Sequence, residues 1–421
     1  MFVCQTCCRA DPPRGFYRPC RWRAAISFFL LVLVALALSA CQRQPQFLSQ
    51  DAYIWQRQWT PAVTRAMHDS SSFVTQWRVL AAELDAGGRW NMAAPDWPAL
   101  QTAVRPMVLV VRINGQLKDF PQTQVLQQIV RLRAQWQAAG VTLAGIEIDH
   151  DCATARLPAY AAFLHALRQQ MESKEVLSIT ALPTWLTSLA LDALLAAADE
   201  AVLQVHAVMN PRQGLFDPKR ASGWVQEFAQ RTRHPWRVAL PTYSTRVTWN
   251  ARGMVTAIES EQATLATSDM AQELMAQPQV MADFAAQLER DAPAGLAGIV
   301  WFRLPTEDDV RAWSASTWRA VLTRQALRPD LQVQARAAAA GLHDIILSNN
   351  GNADATLPLA VRLDQACPLA DGINGYVLAS DANGNYFKRA QDGLLRTGRQ
   401  RTIGWIRCPD NSTAPALHVE H

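Results

Sequence analysis

Gly145-Ile146-Glu147-Ile148-Asp149-His150-Asp151 alternates apolar and acidic residues with a period of two. Side chains alternate across a β-strand, so Glu147, Asp149 and Asp151 share one face and Ile146, Ile148 and His150 the other. The isoleucines need apolar surface to bury against. The acids then line an interior of their own, about 6.7 Å apart in succession. A strand with apolar neighbours on one side and an enclosed interior on the other fits a barrel wrapped in helices. Ionised carboxylates are costly there unless protonated, paired with a cation or bound to a metal. Stability alone would not choose this arrangement, so the chemistry is expected on this strand.

Outward from it the chain alternates strand and helix. Strands are predicted at 52–59, 73–80, 107–114, 143–151, 176–183, 201–208, 237–243 and 296–304, mostly apolar or β-branched runs suited to burial on both faces. Helical patterns lie between them, among them 123–139, 157–171, 189–198, 223–232, 280–290 and 310–323. Eight such strands predict an α/β fold, a (β/α)8 TIM-type barrel over residues 51–326. A doubly wound sheet is the alternative, but no GxGxxG follows the first strand. Residues 327–421 lose the helical period and show short strands punctuated by turns. Asn350-Gly351 and Asn383-Gly384 are dipeptides of type I′ hairpins. A small accessory β-sandwich is predicted, either a carbohydrate-binding module or a brace against the barrel.

The first 40 residues read as a leader. They hold five arginines and one acid, which accounts for the whole formal charge of +4 and leaves residues 41–421 balanced at zero. Neutrality of the remainder argues against a nucleic-acid partner. With 49% hydrophobic and 18% charged residues, a large core is expected. Ala24–Leu38 is apolar but shorter than the roughly 20 residues of a spanning helix. Leu38-Ser39-Ala40-Cys41 resembles a bacterial lipobox, which implies lipidation of Cys41, and Gln42–Gln50 then serves as a tether (residues 41–50). Gln42, in place of an aspartate, implies outer-membrane rather than inner-membrane anchoring by the same resemblance. Of the cysteines left, Cys367 and Cys408 flank strand-like segments and are expected to form a disulfide in an oxidising compartment. Cys152 is expected to be a buried free thiol.

The acidic strand resembles the D-G-x-D-x-D-x-E strand of glycoside hydrolase family 18, with Ala144 to Asp151 in register. The resemblance implies that Asp151 is the catalytic acid, that Asp149 orients the substrate's acetamido group, and that Glu147 replaces the inner aspartate. Gly298-Ile299-Val300-Trp301 resembles the family's G-x-x-W, which implies that Trp301 floors a sugar subsite. Residues 244–279 have the length of the insertion that walls the groove in such enzymes. Departures are Ala144, the lack of a Tyr-Asp pair on strand six (Gln204 and His206 instead), and Asp151 itself. A carboxyl one methylene shorter places its proton about 1.5 Å further from a glycosidic oxygen. The chain also resembles a bacterial lipoprotein family known as domain of unknown function 3142. The shared pieces are the I-E-I-D-x-D strand, Leu240-Pro241-Thr242-Tyr243-Ser244, and the V-W-F-R-L-P strand at 300–305.

Further site residues follow from strand ends. Arg112 and Asn114 alternate on strand three, and Arg112 is the expected counter-charge to the acids. His206, Tyr243, Trp301 and Arg303 are expected at the mouth, the last two on one face of strand eight. Two or three tryptophans from the set of Trp55, Trp59, Trp77, Trp185 and their like are expected to touch a ligand. Three carboxylates on one strand cannot flank a glycosidic bond as an ordinary acid–base pair does. The first expectation is therefore an envelope-anchored glycosidase-like hydrolase, acting on an N-acetylhexosamine-containing glycan with help from the substrate itself. The alternative is a non-catalytic glycan-binding lipoprotein. A weaker one is a divalent-metal site of the three acids and His206. No cofactor is implied, and a monomer is expected.

Overall fold

The computed structural model describes residues 47–421, apart from 119, 207–213, 251, 253, 260–269, 365–366, 410–415 and 421. The leader, Cys41 and most of the tether lie outside the described residues. Eight parallel strands close into a barrel: β1 (Ser49–Ile54), β2 (Gln76–Leu84), β3 (Met107–Ile113), β4 (Leu143–His150), β5 (Val176–Ala181), β6 (Glu200–Gln204), β7 (Trp236–Pro241) and β8 (Leu296–Phe302). Closure is made by β8 against β1, with Ser49 opposite Gly298 and Ala52 opposite Trp301. The last two residues of the expected tether, Ser49 and Gln50, thus already belong to β1.

A helix follows each strand: α1 (Pro61–Ser70), α2 (Trp97–Thr102), α3 (Gln122–Ala138), α4 (Leu157–Arg168), α5 (Leu191–Ala196), α6 (Pro218–Arg231), α7 (Pro278–Asp291) and α8 (Ala315–Leu322). The sequence dictates their packing. In α3 the buried residues Val125, Ile129, Leu132 and Trp136 recur at steps of four and three, one stripe of a 3.6-residue helix. Asp217 caps α6 by accepting from the backbone N–H of Lys219 and Arg220, with Pro218 in the first turn. Ile146 and Ile148 lie in the apolar shell between strands and helices, as do Ile179, Ile299 and Trp318. A separate apolar cluster fills the lumen: Tyr53, Trp55, Leu80, Val110, Val202, Ala239 and Val300. A one-residue slip of β4 would turn Ile146 and Ile148 inward and drive two carboxylates against the helices, so register is strongly held. Gly145 is required by close approach, since a Cβ there would sit 2.2 Å from the carbonyl oxygen of Val176.

Between β7 and α7 the chain inserts a three-stranded antiparallel sheet, ordered Val255–Glu259, Ser244–Trp249, Met270–Met275. It occupies the stretch in which a groove wall was expected. The C-terminal residues form two four-stranded antiparallel sheets and a two-stranded one around a core that includes Ile345, Val361, Phe387, Ile403 and Ile406. Cys367 and Cys408 are disulfide-bonded. Asn383-Gly384 ends a hairpin whose strands pair from Asp381 and Gly384 outward. Asn350-Gly351 does not. Its glycine lets the backbone pass the Arg328 carbonyl, 2.1 Å from where a Cβ would lie, and the hairpin in that sheet turns instead between Ala339 and Leu342. The module grips the barrel through the β8–α8 loop: Arg396 Nε donates to Ala312 O at 2.9 Å, and Ser314 N donates to Asp354 Oδ2 at 2.7 Å.

Cys152 is free and buried, and burial pushes its thiol up to about 11. We expect native protein to resist maleimide labelling at pH 7.5, and to label at this position only with denaturant. Rapid native labelling of Cys152 would contradict its placement. Among the described residues no helix is long and apolar enough to cross a membrane.

Candidate active site

Three tiers of polar side chains rise through the lumen from the N-terminal ends of the strands. At the base, Arg78 is almost fully enclosed and donates from Nη2 to Asp51 Oδ2 at 3.2 Å. The same guanidinium pairs with Glu147 and Glu200. Arg237 adds a second cation, with Nε 2.8 Å from Glu200 Oε2 and 3.4 Å from Asp51 Oδ2. Burial alone would depress Arg78, but Glu147, Glu200 and Asp51 hold it charged. Desolvation raises Asp51 and Glu147 above the usual carboxylate range despite the arginines, whereas for Glu200 the two guanidiniums outweigh burial and lower it. Three acids face two guanidiniums, so the base holds one carboxyl more than it has cations.

Glu147 belongs to this base. It has no exposed surface, accepts from Tyr53 Oη at 2.6 Å and Ser178 Oγ at 2.8 Å, and is ion-paired to Arg78. Enclosed on all sides and held by these three donors, it presents no surface to a ligand at the mouth. The expectation of Glu147 as a catalytic group is therefore corrected to a structural one, which fixes β4.

One pleat higher, Asp149 accepts from Thr180 Oγ1 at 2.7 Å and Gln204 Nε2 at 3.3 Å. Arg112 lies inward as expected, its Nε 3.8 Å from both Asp149 Oδ2 and Glu83 Oε1, with its guanidinium 5.9 Å from the centre of the Trp55 ring. Glu83 reaches the lumen because β2 shifts register between Leu80 and Ala82.

Asp151 stands one residue beyond β4, at the mouth, and is exposed. Enough protein crowds it that desolvation, then the charge of Asp149, push its carboxyl up to about 7 against the pull of Arg112. The Asn114-Gly115 turn packs on its backbone, and a Cβ at Gly115 would lie 1.8 Å from Asp151 O. Asn114 Oδ1 accepts from Gln116 N at 2.9 Å, so Asn114 shapes that turn.

On the far side of the mouth, His206 Nδ1 is 3.1 Å from Ala239 O, and burial holds its pKa down at about 4. The imidazole is neutral at physiological pH. Its ring centre is 6.1 Å from Tyr243 and 5.7 Å from Phe302. Arg303 is fastened to Asp309, Nε to Oδ2 at 2.8 Å, with its guanidinium 5.5 Å from the centre of the Tyr243 ring. Trp301 is a correction. It faces outward into the helical shell, with Nε1 2.7 Å from Gln50 Oε1 and its ring 6.2 Å from Trp313, so it shares no face with Arg303. The aromatic that β8 turns to the lumen is Phe302, against Tyr53, Trp55 and Tyr243. Trp77 and Trp185 are likewise wholly buried in the shell. Trp55 remains at the mouth and lines a cleft of about 580 Å³ with Arg57, Thr60, Arg303 and Asp308.

For the three acids and His206 read as a metal site, Glu147 is enclosed in the base, and among the described residues no group of three or more His, Cys, Asp or Glu could hold a metal ion. What sequence reasoning missed is the base: Tyr53, Asp51, Arg78, Glu200 and Arg237. A visible signal was Arg78 two residues before Leu80, a cation alternating with an apolar residue inside an otherwise buried run.

With this geometry in place, comparison with known proteins finds partial matches. Residues 103–307 match the family model Domain of unknown function (DUF3142). That segment runs from just before β3 through β8, so the acidic strand lies within the DUF3142 match. Residues 332–409, in the C-terminal module, match a second model, Domain of unknown function (DUF8456). No curated protein sequence matches the chain. Among solved structures, the chain is similar to a chitinase from Chromobacterium violaceum, with 14% identity, TM-score 0.47, and coverage of 66% of this chain and 98% of that one. It is similar also to the spore cortex-lytic enzyme SleL of Bacillus cereus (14%, TM-score 0.48, 67% and 75%) and of Bacillus megaterium QM B1551 (12%, TM-score 0.49, 67% and 75%).

Proposed function

We propose that the protein is an envelope-anchored, glycoside-hydrolase-like lipoprotein in which Asp151 is the general acid. The carrying observation is a solvent-reachable carboxyl at the C-terminal mouth of a barrel, raised to about 7. Such a group is still partly protonated at neutral pH and can deliver that proton to a leaving glycosidic oxygen. Asp149, fixed by Thr180 and Gln204, is placed to accept an amide N–H. The substrate class is an N-acetylhexosamine-containing glycan. Its acetamido oxygen attacks the anomeric carbon as the bond to the leaving oxygen breaks and Asp151 gives up its proton. Water then opens the cyclic intermediate, returning a proton to Asp151. This route needs no second carboxylate across the bond, in keeping with acids that share one strand.

The test is release of reducing ends from soluble N-acetylhexosamine oligosaccharides, alongside equilibrium binding of the same sugars. Turnover that depends on Asp151 supports the hydrolase. Saturable binding without turnover, even in Asp151→Glu, replaces it with the glycan-binding lipoprotein, for which the short acid is the favouring observation.

The anchor is part of the same proposal. Acylated Cys41 would hold the barrel to the outer membrane. Cys41→Ser is expected to move the protein from the membrane pellet to the soluble periplasmic fraction, and continued sedimentation with membranes would sink the lipobox reading.

A further inference from the structure

We propose that the outer face of the C-terminal sheet carries a second saccharide site, in which Tyr386 is the stacking platform and the ligand is an extended, uncharged glycan chain. The sheet orders its strands Tyr376–Asp381, Gly384–Arg389, Ala360–Leu363, Leu417–Glu420. Alternation along Gly384–Arg389 buries Phe387 completely and turns Tyr386 and Lys388 to the other face. Cross-strand register then decides what stands beside them. Tyr386 lies opposite Arg362 on one side and Ala379 on the other, and Lys388 opposite Ala360 and Val377. Alanines at two of these four places leave the ring and the lysine stem uncrowded.

Arg362 prepares the ring. Its guanidinium lies 4.9 Å from the Tyr386 ring centre and is locked by Asp381, to which Nη1 and Nη2 each donate at 3.0 Å, and by Glu420 at 2.7 Å. With one face so occupied, what Tyr386 presents outward is its other face and edge. That surface lines a cleft of about 450 Å³ together with Lys388, Arg389, Gln391 and Asp392. Ala271 and Gln272 of the insertion between β7 and α7 close the other side. A flat aromatic ring takes the apolar face of a pyranose, while amide, carboxylate and ammonium groups around it suit hydroxyls. Arg362 is compensated by two carboxylates and Arg389 lies 3.3 Å from Asp392. With those pairs formed the lining keeps a single net positive charge, from Lys388, so the cleft suits a hydroxyl-rich chain better than a polyanion.

The insertion links this cleft to the mouth. Gln272 lines the cleft, while the next residue, Glu273, bonds Ser244 and lies 3.5 Å from Arg311 beside the barrel. A site behind the wall of the mouth suits a polymer, holding chain remote from the bond being cut. The choice of polymer rests on the function proposed above.

The test uses the full chain carrying Asp151→Asn, so that cleavage cannot release it, and measures depletion onto chitin beads and onto isolated peptidoglycan. The parent is expected to be retained by chitin, the uncharged polymer of the two, and retention by peptidoglycan alone overturns the choice of ligand. Tyr386→Ala should weaken retention about 10-fold, and Tyr386→Phe should keep it. Thermal melting shows whether Tyr386→Ala is folded. Equal retention of Tyr386→Ala, or no retention of the parent on either polymer, overturns the second site. The two proposals fail separately. Tyr386-dependent retention with no turnover of soluble oligosaccharide by the wild type removes the hydrolase and leaves this site standing. Turnover without Tyr386-dependent retention does the reverse.

Discussion

Arg78→Met should cost roughly 3–5 kcal/mol of folding stability, the usual penalty for removing one partner of a buried ion network. Arg78 is the guanidinium that meets Asp51, Glu147 and Glu200 together at the base of the lumen. Without it Asp51 and Glu200 keep Arg237 as the neighbouring cation, and Glu147 is left with the hydroxyls of Tyr53 and Ser178, in an interior with almost no solvent. Domains are commonly stable by only about 5–15 kcal/mol, so a melting temperature lower by on the order of 10 °C is expected, with losses in soluble yield. The deficit has a pH sign. Asp51 and Glu147 are already raised in the folded state, and loss of Arg78 raises them further. A carboxyl with a raised folded pKa binds its proton more tightly folded than unfolded, so stability lost at pH 8 is regained as pH falls. Melting at pH 5 should therefore close part of the gap, and Arg78→Met with Glu147→Gln should recover more than Arg78→Met alone. If Arg78→Met melts with the wild type at pH 8, the base is not the support described.

The barrel was legible because its strands are buried on both faces and its helices carry a clear stripe. β4 was the plainest element, since alternation of isoleucine with acid permits one parity only. β8 shows the converse. Gly298, Val300 and Phe302 alternate with Ile299 and Trp301, and both sets are apolar, so no local pattern says which set faces the lumen. Pairing with β1 and β7 decides it, and it places Trp301 outside. Arg78 was visible as an oddity, but its partners were illegible for a related reason. One cation in an apolar run reads as a strand edge until the acids that neutralise it, 27, 69 and 122 residues away, are brought beside it. Asn114 was read as a lumen residue by extending the alternation of β3 one step too far. The strand ends at Ile113, and the Asn-Gly pair takes up the turn. His206 and Tyr243 were placed from strand ends alone, and they do meet at the mouth.

Asp151→Asn should leave oligosaccharide binding in place and lower hydrolysis about 100-fold or more, the scale of a lost general acid. The amide keeps the volume and much of the hydrogen bonding while removing the proton. The wild-type acid must be protonated to act, and its carboxyl stands at about 7. Turnover should therefore fall as pH rises through 7, a limb that Asp151→Asn abolishes along with the activity. Stability moves the other way. Ionising Asp151 in the folded state is disfavoured by desolvation and by Asp149, so at pH 8 the neutral amide should melt at the same temperature or slightly above the wild type. Asp151 is exposed, and solvent screening keeps that gain small. Asp151→Glu separates distance from acidity. Adding one methylene advances the proton by about 1.5 Å, and displacements of this order change rates by about 100-fold when a reacting group is misplaced. If reach limits turnover, Asp151→Glu turns over faster than wild type with little change in binding. Hydrolysis that persists undiminished in Asp151→Asn would remove Asp151 from the chemistry, and Asp149, already held by Thr180 and Gln204, would be left as the acid of β4 nearest the mouth.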